Sequence, residues 1–241
     1  MKKLLLLITV LFVFSCSSSD DSDENQPPPP DPVYRLVEVV QLDADSNIYE
    51  TLLYDYDVNG LLIRSTEISN GTSYISNMLT STEWINNGTT TITDFTYENG
   101  LIILATLNEL NFTLTNEYSY NSLNQLISKK QFDQGVFCCE DTFTYNSQGN
   151  ISSQSNDSSS EISFYEYDNK KNPGLLIFDS SYLKIGEIGN NNIIKSYSDS
   201  SSQTVTYTYQ YNDDNYPTIS KTFVDGVLLR ETKFTYELFT N

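Results

Sequence analysis

Histidine is absent from the 241 residues, and that absence removes several chemistries at once. There can be no Ser-His-Asp triad, no histidine-ligated zinc or haem, and no side chain whose unperturbed pKa sits near neutrality. Basic residues are scarce: 13 against 32 acidic ones, a formal charge of -19. Such a surface repels phosphate backbones and anionic headgroups, which argues against nucleic acid as a partner. Tryptophan occurs once, at Trp84, and cysteine three times, at Cys16, Cys138 and Cys139. Helical periodicity is nowhere sustained. What is abundant is tyrosine and phenylalanine, 18 and 12 residues respectively.

Residues 1–15 read as a signal peptide. Lys2 and Lys3 precede an unbroken apolar run from Leu4 to Phe14. As a helix that run rises only about 16 Å, against a hydrocarbon core of roughly 30 Å, so it is an h-region and not a permanent span. The segment Val13-Phe14-Ser15-Cys16 resembles the lipobox of bacterial lipoproteins. The resemblance implies cleavage before Cys16, which becomes the acylated mature N-terminus and the attachment to the outer membrane. Several acyl chains hold a protein stably where one does not, each buried methylene adding about 0.8 kcal/mol. The following residues 16–32 form a tether: behind Cys16 lie four serines, five acids and five prolines, with no apolar side chain. Ser and Asp make its first part self-repelling, and Pro27 to Pro30 favour extended polyproline II. The cluster Ser19-Asp20-Asp21-Ser22-Asp23-Glu24 resembles the export signal of Bacteroidota surface lipoproteins, which implies a protein facing outward from the cell. Loss of Lys2 and Lys3 with the signal peptide moves the formal charge from -19 to -21, so the acidity belongs to the exported form.

Residues 33–241 are built on a repeated phrase: aromatic, any residue, Tyr, then Asn, Asp or Glu, a polar turn, and an aliphatic pair. It recurs at Tyr54-Asp55-Tyr56-Asp57, Phe95-Thr96-Tyr97-Glu98, Tyr118-Ser119-Tyr120-Asn121, Phe143-Thr144-Tyr145-Asn146, Tyr165-Glu166-Tyr167-Asp168, Tyr209-Gln210-Tyr211-Asn212 and Phe234-Thr235-Tyr236-Glu237. The second tyrosines advance by 41, 23, 25, 22, 44 and 25 residues, and the two long steps read as doubled units with a degenerate copy inside. A unit of 22 to 25 residues holds two strands and two turns, a β-hairpin. Asn59-Gly60, Asn99-Gly100 and Asp225-Gly226 supply the positive φ of tight hairpin turns. The expected fold is therefore all-β: a repetitive antiparallel meander of roughly 14 to 17 strands, strongly twisted and curled or forming an open barrel-like shell. These phrases resemble the YD, or Rhs-type, repeats of bacterial cell-surface proteins. Tyr167-Asp168-Asn169-Lys170-Lys171-Asn172-Pro173 and Asn212-Asp213-Asp214-Asn215-Tyr216-Pro217 resemble phrases of Bacteroidota lipoproteins bearing them.

Candidate chemistry is sparse. Asp55-Tyr56-Asp57-Val58-Asn59-Gly60 matches the start of an EF-hand loop, but position 12 is Thr66 and the flanks are strand-like. It reads as a turn; Asp43, Asp45 and Asn47, and Asp213 and Asp214, are weaker calcium candidates still. Neighbouring Cys138 and Cys139 would point to opposite faces of a regular strand and lack a histidine partner, so they read as separate, non-catalytic thiols. Exposed tyrosines and Trp84 could stack on sugars, and carboxylates could pair as in a glycosidase, but regular aromatic repeats are better explained as ladders holding a sheet together. The reading is a lipid-anchored, non-catalytic surface module for adhesion, envelope interaction or glycan binding, with Cys16 as its assigned site and neither metal nor cofactor. The alternatives are an extracellular polysaccharide-acting enzyme using paired carboxylates, and an accessory lipoprotein of an outer-membrane complex.

Overall fold

The computed structural model describes residues 33–239 apart from 58–61, 70–71, 78–80, 87–88, 110–111, 160 and 178–179. The signal peptide, Cys16 with its tether, and the Asn59-Gly60 turn lie outside the described residues. Sixteen antiparallel strands follow one another in a meander. They are β1 (Val33–Asp43), β2 (Ile48–Tyr56), β3 (Leu62–Ser69), β4 (Thr72–Asn77), β5 (Ser81–Asn86), β6 (Thr89–Glu98), β7 (Leu101–Glu109) and β8 (Phe112–Tyr120). The second half continues with β9 (Leu126–Asp133), β10 (Val136–Tyr145), β11 (Ile151–Asn156), β12 (Ile162–Lys171), β13 (Asn191–Ser198), β14 (Thr204–Tyr211), β15 (Pro217–Val224) and β16 (Val227–Phe239). The sequence leaves open whether the curled sheet closes. It does: β1 pairs with β16 from Val33↔Phe239 to Asp43↔Arg230, so every strand has two neighbours and no edge is left exposed.

The repeated phrase occupies the ends of the even-numbered strands and explains how the ring is held. Phe143 is 5 % exposed while Thr144 beside it is exposed, the alternation a pleat imposes. The second tyrosine of the phrase then reaches back to a carbonyl at the start of the preceding strand. Tyr56 donates to the Leu36 oxygen at 2.7 Å, Tyr120 to Ile102 at 2.6 Å, Tyr145 to Leu126 at 2.8 Å and Tyr236 to Pro217 at 2.6 Å. Those four acceptor residues are among the five largest fully buried side chains. In these four pairs of strands one residue is thus both a core residue and the anchor for the tyrosine of the next strand.

The residue after that tyrosine sets the turn. Asn121, Asn146 and Asn212 each accept, on the side-chain oxygen, the backbone N–H groups two and four residues on. This closes a five-residue loop whose fourth position has positive φ, at Asn124, Gly149 and Asn215. At the other end of the barrel the turns are tighter: Gln134-Gly135 and Asp225-Gly226 have positive φ at both positions, the backbone of a two-residue type I′ turn. Asn99-Gly100 has the same geometry at the phrase end.

The two long spacings have different origins. The step of 41 residues does contain a doubled unit, since β2 and β6 are separated by β3, β4 and β5. The step of 44 does not. Only β13 lies between β12 and β14, and the surplus is a connection holding a 3₁₀ turn, Pro173–Leu176, and a short helix, α1 (Ser180–Ile185).

Replacing Tyr145 by Phe strips the Leu126 carbonyl of its donor, and is expected to lower unfolding free energy by about 1–3 kcal/mol. Thr144→Ala on the outer face should stay within about 0.5 kcal/mol. Urea denaturation of both variants checks the difference.

Candidate functional site

The connection from β12 to β13 crosses the interior of the barrel. Its 3₁₀ turn touches β1, its helix touches β7, and its roots are in β12 and β13. In the ring order these strands lie on three well-separated sides, and only a path across the inside reaches all of them. Tyr182 of α1 meets Phe95 of β6 edge-on, with ring centroids 6.0 Å apart. Glu187 accepts from Lys129 of β9 at 3.0 Å, and Lys129 also contacts Asp141 of β10 at 3.1 Å. The segment is an internal plug fastened to the wall.

Its return is fixed by amides. Asn150, fully buried, donates to Asn191 at 2.9 Å and accepts the Asn191 backbone N–H at 3.2 Å. Asn190 donates to the Gln148 carbonyl at 3.0 Å. Gly189 is required here, because a Cβ would lie 2.8 Å from the Asn150 oxygen. On the other side Asp168 accepts from the Lys170 and Asn192 backbone N–H groups at 2.9 and 3.1 Å, and from the Tyr211 hydroxyl. Burial first, and then the Asp168 carboxylate, push the Tyr211 hydroxyl well above the usual phenol range, so it stays a donor. Tyr118 and Tyr145, facing the plug, are pushed up to about 12, chiefly by burial. For Lys129, burial works against the charged form, but the Glu187 charge and hydrogen bonds to Glu187 and Asp141 outweigh it and raise its pKa.

One pair of carboxylates is brought together on the inner face, and sequence spacing gave no sign of it. Glu50 of β2 lies beside Glu67 of β3, and Gln41 donates to Glu50 at 2.6 Å while accepting from Arg230. Burial, followed by the charge of Glu67 and a hydrogen bond with it, raises the Glu50 pKa. Carboxyl groups in hydrogen-bond contact are too close for a glycosidase, whose retaining pairs stand about 5–5.5 Å apart and inverting pairs about 6.5–9.5 Å.

The other sequence candidates resolve as structure. Asp55 is paired with Arg64 on the outer face at 2.5 Å, at the end of a strand that keeps its extended backbone through Tyr56. Asp43 accepts from the backbone of Asp45 and Asn47 at 3.0 and 2.8 Å and from the Asn47 side chain, which lowers its pKa; the trio is a turn. Asp214 donates its backbone N–H to Asn212 in the β14–β15 turn, and its carboxylate meets the Tyr34 hydroxyl. Cys138 and Cys139 are free, but the strand is not regular there: the pairing of β10 with β9 shifts between Phe137 and Cys139, leaving Cys138 as the bulged residue. The two thiols therefore do not simply alternate between faces. The hydrogen bond that the Cys138 thiol donates to Cys139 leads the causes that raise its pKa, which disfavours a thiolate. The Trp84 side chain lies outside the described residues; its backbone is in β5.

The outer face is polar. Glu117, Ser119, Thr142, Thr144, Thr208 and Gln210 are exposed there. Ion pairs bridge neighbouring strands at mid-height, Lys195–Glu166 at 3.1 Å and Lys221–Glu231 at 3.2 Å. A bilayer-spanning barrel carries instead an outward apolar band about 25 Å tall, where a Lys or Arg at the midplane costs about 2–4 kcal/mol. Among the described residues no helix is long and apolar enough to cross a membrane.

These features define a closed antiparallel barrel with an internal plug and a polar exterior. No protein family matches the chain, and no curated protein does. Among solved structures, a porin-like protein from Bacteroides uniformis aligns with a TM-score of 0.58 at 16% identity, covering 84% of this chain and 96% of the other. A porin-like protein from Bacteroides vulgatus aligns over 84% of this chain and 98% of its own at 13% identity, with a TM-score of 0.38. The first likeness is one of fold.

Glu67→Gln removes a charge that adds to burial in raising the Glu50 pKa, so the Glu50 carboxyl should titrate closer to its ordinary value by carboxyl-carbon NMR. A raised folded pKa gives stability that is present at low pH and lost as pH rises through it, so the same variant should flatten the stability profile above about pH 4.5. Lys129→Met leaves Glu187 and Asp141 facing each other without a cation. Limited proteolysis should then cut within 172–190 at least about tenfold faster than in the native chain, the gain that about 1.4 kcal/mol of easier local opening gives.

Proposed function

We propose that the chain is a lipid-anchored, non-catalytic protein of the outer membrane whose barrel stands in water outside the bilayer and serves adhesion or envelope interaction. The observation that carries this reading is the polarity of the outer face, with charged pairs at mid-height where lipid would demand apolar side chains. A barrel of that kind needs another attachment, and Cys16 behind its lipobox-like segment provides it. β1 starts at the barrel end that also carries the C-terminal end of β16.

The opposite end supports a contact role. Of the thirteen large apolar side chains exposed among the described residues, nine lie beside turns at that far end. Seven of the nine form two groups on opposite sides of the ring, Ile48, Tyr49, Val227 and Leu229 around β1, and Phe112, Val136 and Phe137 around β9, with Ile68 and Tyr197 apart from both. Aromatic and branched side chains raised on a rim suit a protein surface of the envelope better than a deep sugar-binding cleft. The enzyme reading has less support, since the inner carboxylates touch each other and the tyrosines are held protonated. The resemblance to YD-repeat lipoproteins of Bacteroidota belongs to this proposal, as does the outward orientation.

Cys16→Ser is expected to abolish labelling by a fatty-acid analogue and to release the protein from membranes without detergent. The native chain should give no conductance steps in planar bilayers, and protease added to whole cells should remove its barrel. Steady ion conductance, or a Cys16→Ser protein that still requires detergent, would replace the water-exposed barrel with a membrane-inserted one.

A further inference from the structure

Cys138 and Cys139 follow closely on the tight Gln134-Gly135 turn, and both thiols are free. In a regular strand neighbouring side chains point to opposite faces, so adjacent thiols do not meet. Here the bulge at Cys138 breaks that alternation, and the Cys138 thiol donates to the Cys139 sulfur. Cys139 in turn donates to Gln131 Oε1 on β9 at 3.5 Å. Cys138 is exposed and Cys139 partly so, which leaves the pair accessible from solvent. Two exposed carboxylates, Asp133 and Asp157, act on Cys138, and Asp157 is held in place by the Glu140 backbone N–H at 2.8 Å. The negative charges that oppose a bare thiolate attract a cation.

The ligand count decides which cation. Among the described residues no three His, Cys, Asp or Glu side chains gather to hold a metal ion, so the place offers two sulfurs. Structural zinc takes four ligands, whereas monovalent copper is a soft ion that prefers thiolates and is satisfied by two of them. We infer that Cys138 and Cys139 form a chelating dithiol for a soft monovalent cation of the copper(I) class. On binding, both S–H bonds break, two S–Cu bonds form from sulfur electron pairs, and both protons pass to solvent, with no change in the oxidation state of copper. The Gln131 amide, turned over, presents an N–H to the Cys139 thiolate in place of the oxygen that accepts from the thiol. The inference goes beyond the proposed surface role and does not depend on the lipid anchor.

Competition with a colour-forming copper(I) chelator tests it, on the mature chain in lipid nanodiscs, reduced and under inert gas, with empty nanodiscs as the blank. The native chain should withdraw one copper ion per molecule from the chelator, and X-ray absorption at the copper edge should show two sulfur neighbours. Cys138→Ser and Cys139→Ser should each weaken retention by about a hundredfold or more, the loss expected when a chelate becomes a single contact. Alkylating the folded native chain with iodoacetamide should do the same, and gives the reading if a serine variant does not fold. The Cys16→Ser chain should take copper as the native chain does, which separates this result from the anchor. Zn²⁺ added in equal amount should leave the copper bound. Failure to withdraw copper, retention unchanged by the serine variants or by alkylation, loss of copper with Cys16→Ser, or displacement by equal zinc overturns the inference.

Discussion

Closing sixteen strands into one ring creates an interior that has to be filled or flooded, and everything else in this molecule answers that demand. Barrels of this strand number ordinarily enclose an aqueous channel. Here four tyrosines of the repeat, Tyr56, Tyr120, Tyr145 and Tyr236, project inward, and their hydroxyls end on the carbonyls of Leu36, Ile102, Leu126 and Pro217. Each ring therefore contributes bulk to the interior and a polar tie to the wall, so burial and hydrogen bonding are satisfied by one side chain. The tie also explains why the phrase is Tyr-centred at its second position whereas its first tolerates Phe, as at Phe95, Phe143 and Phe234.

The plug completes what the tyrosines begin. It replaces a turn of about five residues with a crossing segment and holds itself by amide pairs at Asn150 and Asn191, by the Asp168 network, and by the Lys129–Glu187 contact. Its amide contacts use groups that cannot titrate, so the return of the chain keeps its geometry across pH. Aromatic filling inside and hydroxyl and charge outside reverse the polarity that a lipid-embedded barrel requires. The fold is shared with a porin-like protein, and the polarity of the described outer face is this chain's own feature.

Much of this was legible in residue order because the hairpin signal is local. Aromatic alternation, Asn or Asp after the tyrosine, and Asn-Gly or Asp-Gly pairs carry their own backbone preferences, and the strand number followed from spacing alone. What could not be read depended on contacts far apart in the chain. The step from Tyr167 to Tyr211 looked like two units because a plug and a hairpin occupy similar lengths. Glu50 and Glu67 meet through cross-strand register, and one residue of slip would have parted them. The bulge at Cys138 breaks an alternation that a regular strand would have kept.

The seam between the first strand and the last has a consequence for biogenesis. Val33 and Phe239 are partners, so the wall cannot shut until β16 has joined β1. Pairing across nearly the whole length of a chain is slow because loop entropy is spent before contacts repay it. Until that last pairing the chain is an open ribbon, and the ring locks only when β16 comes alongside β1.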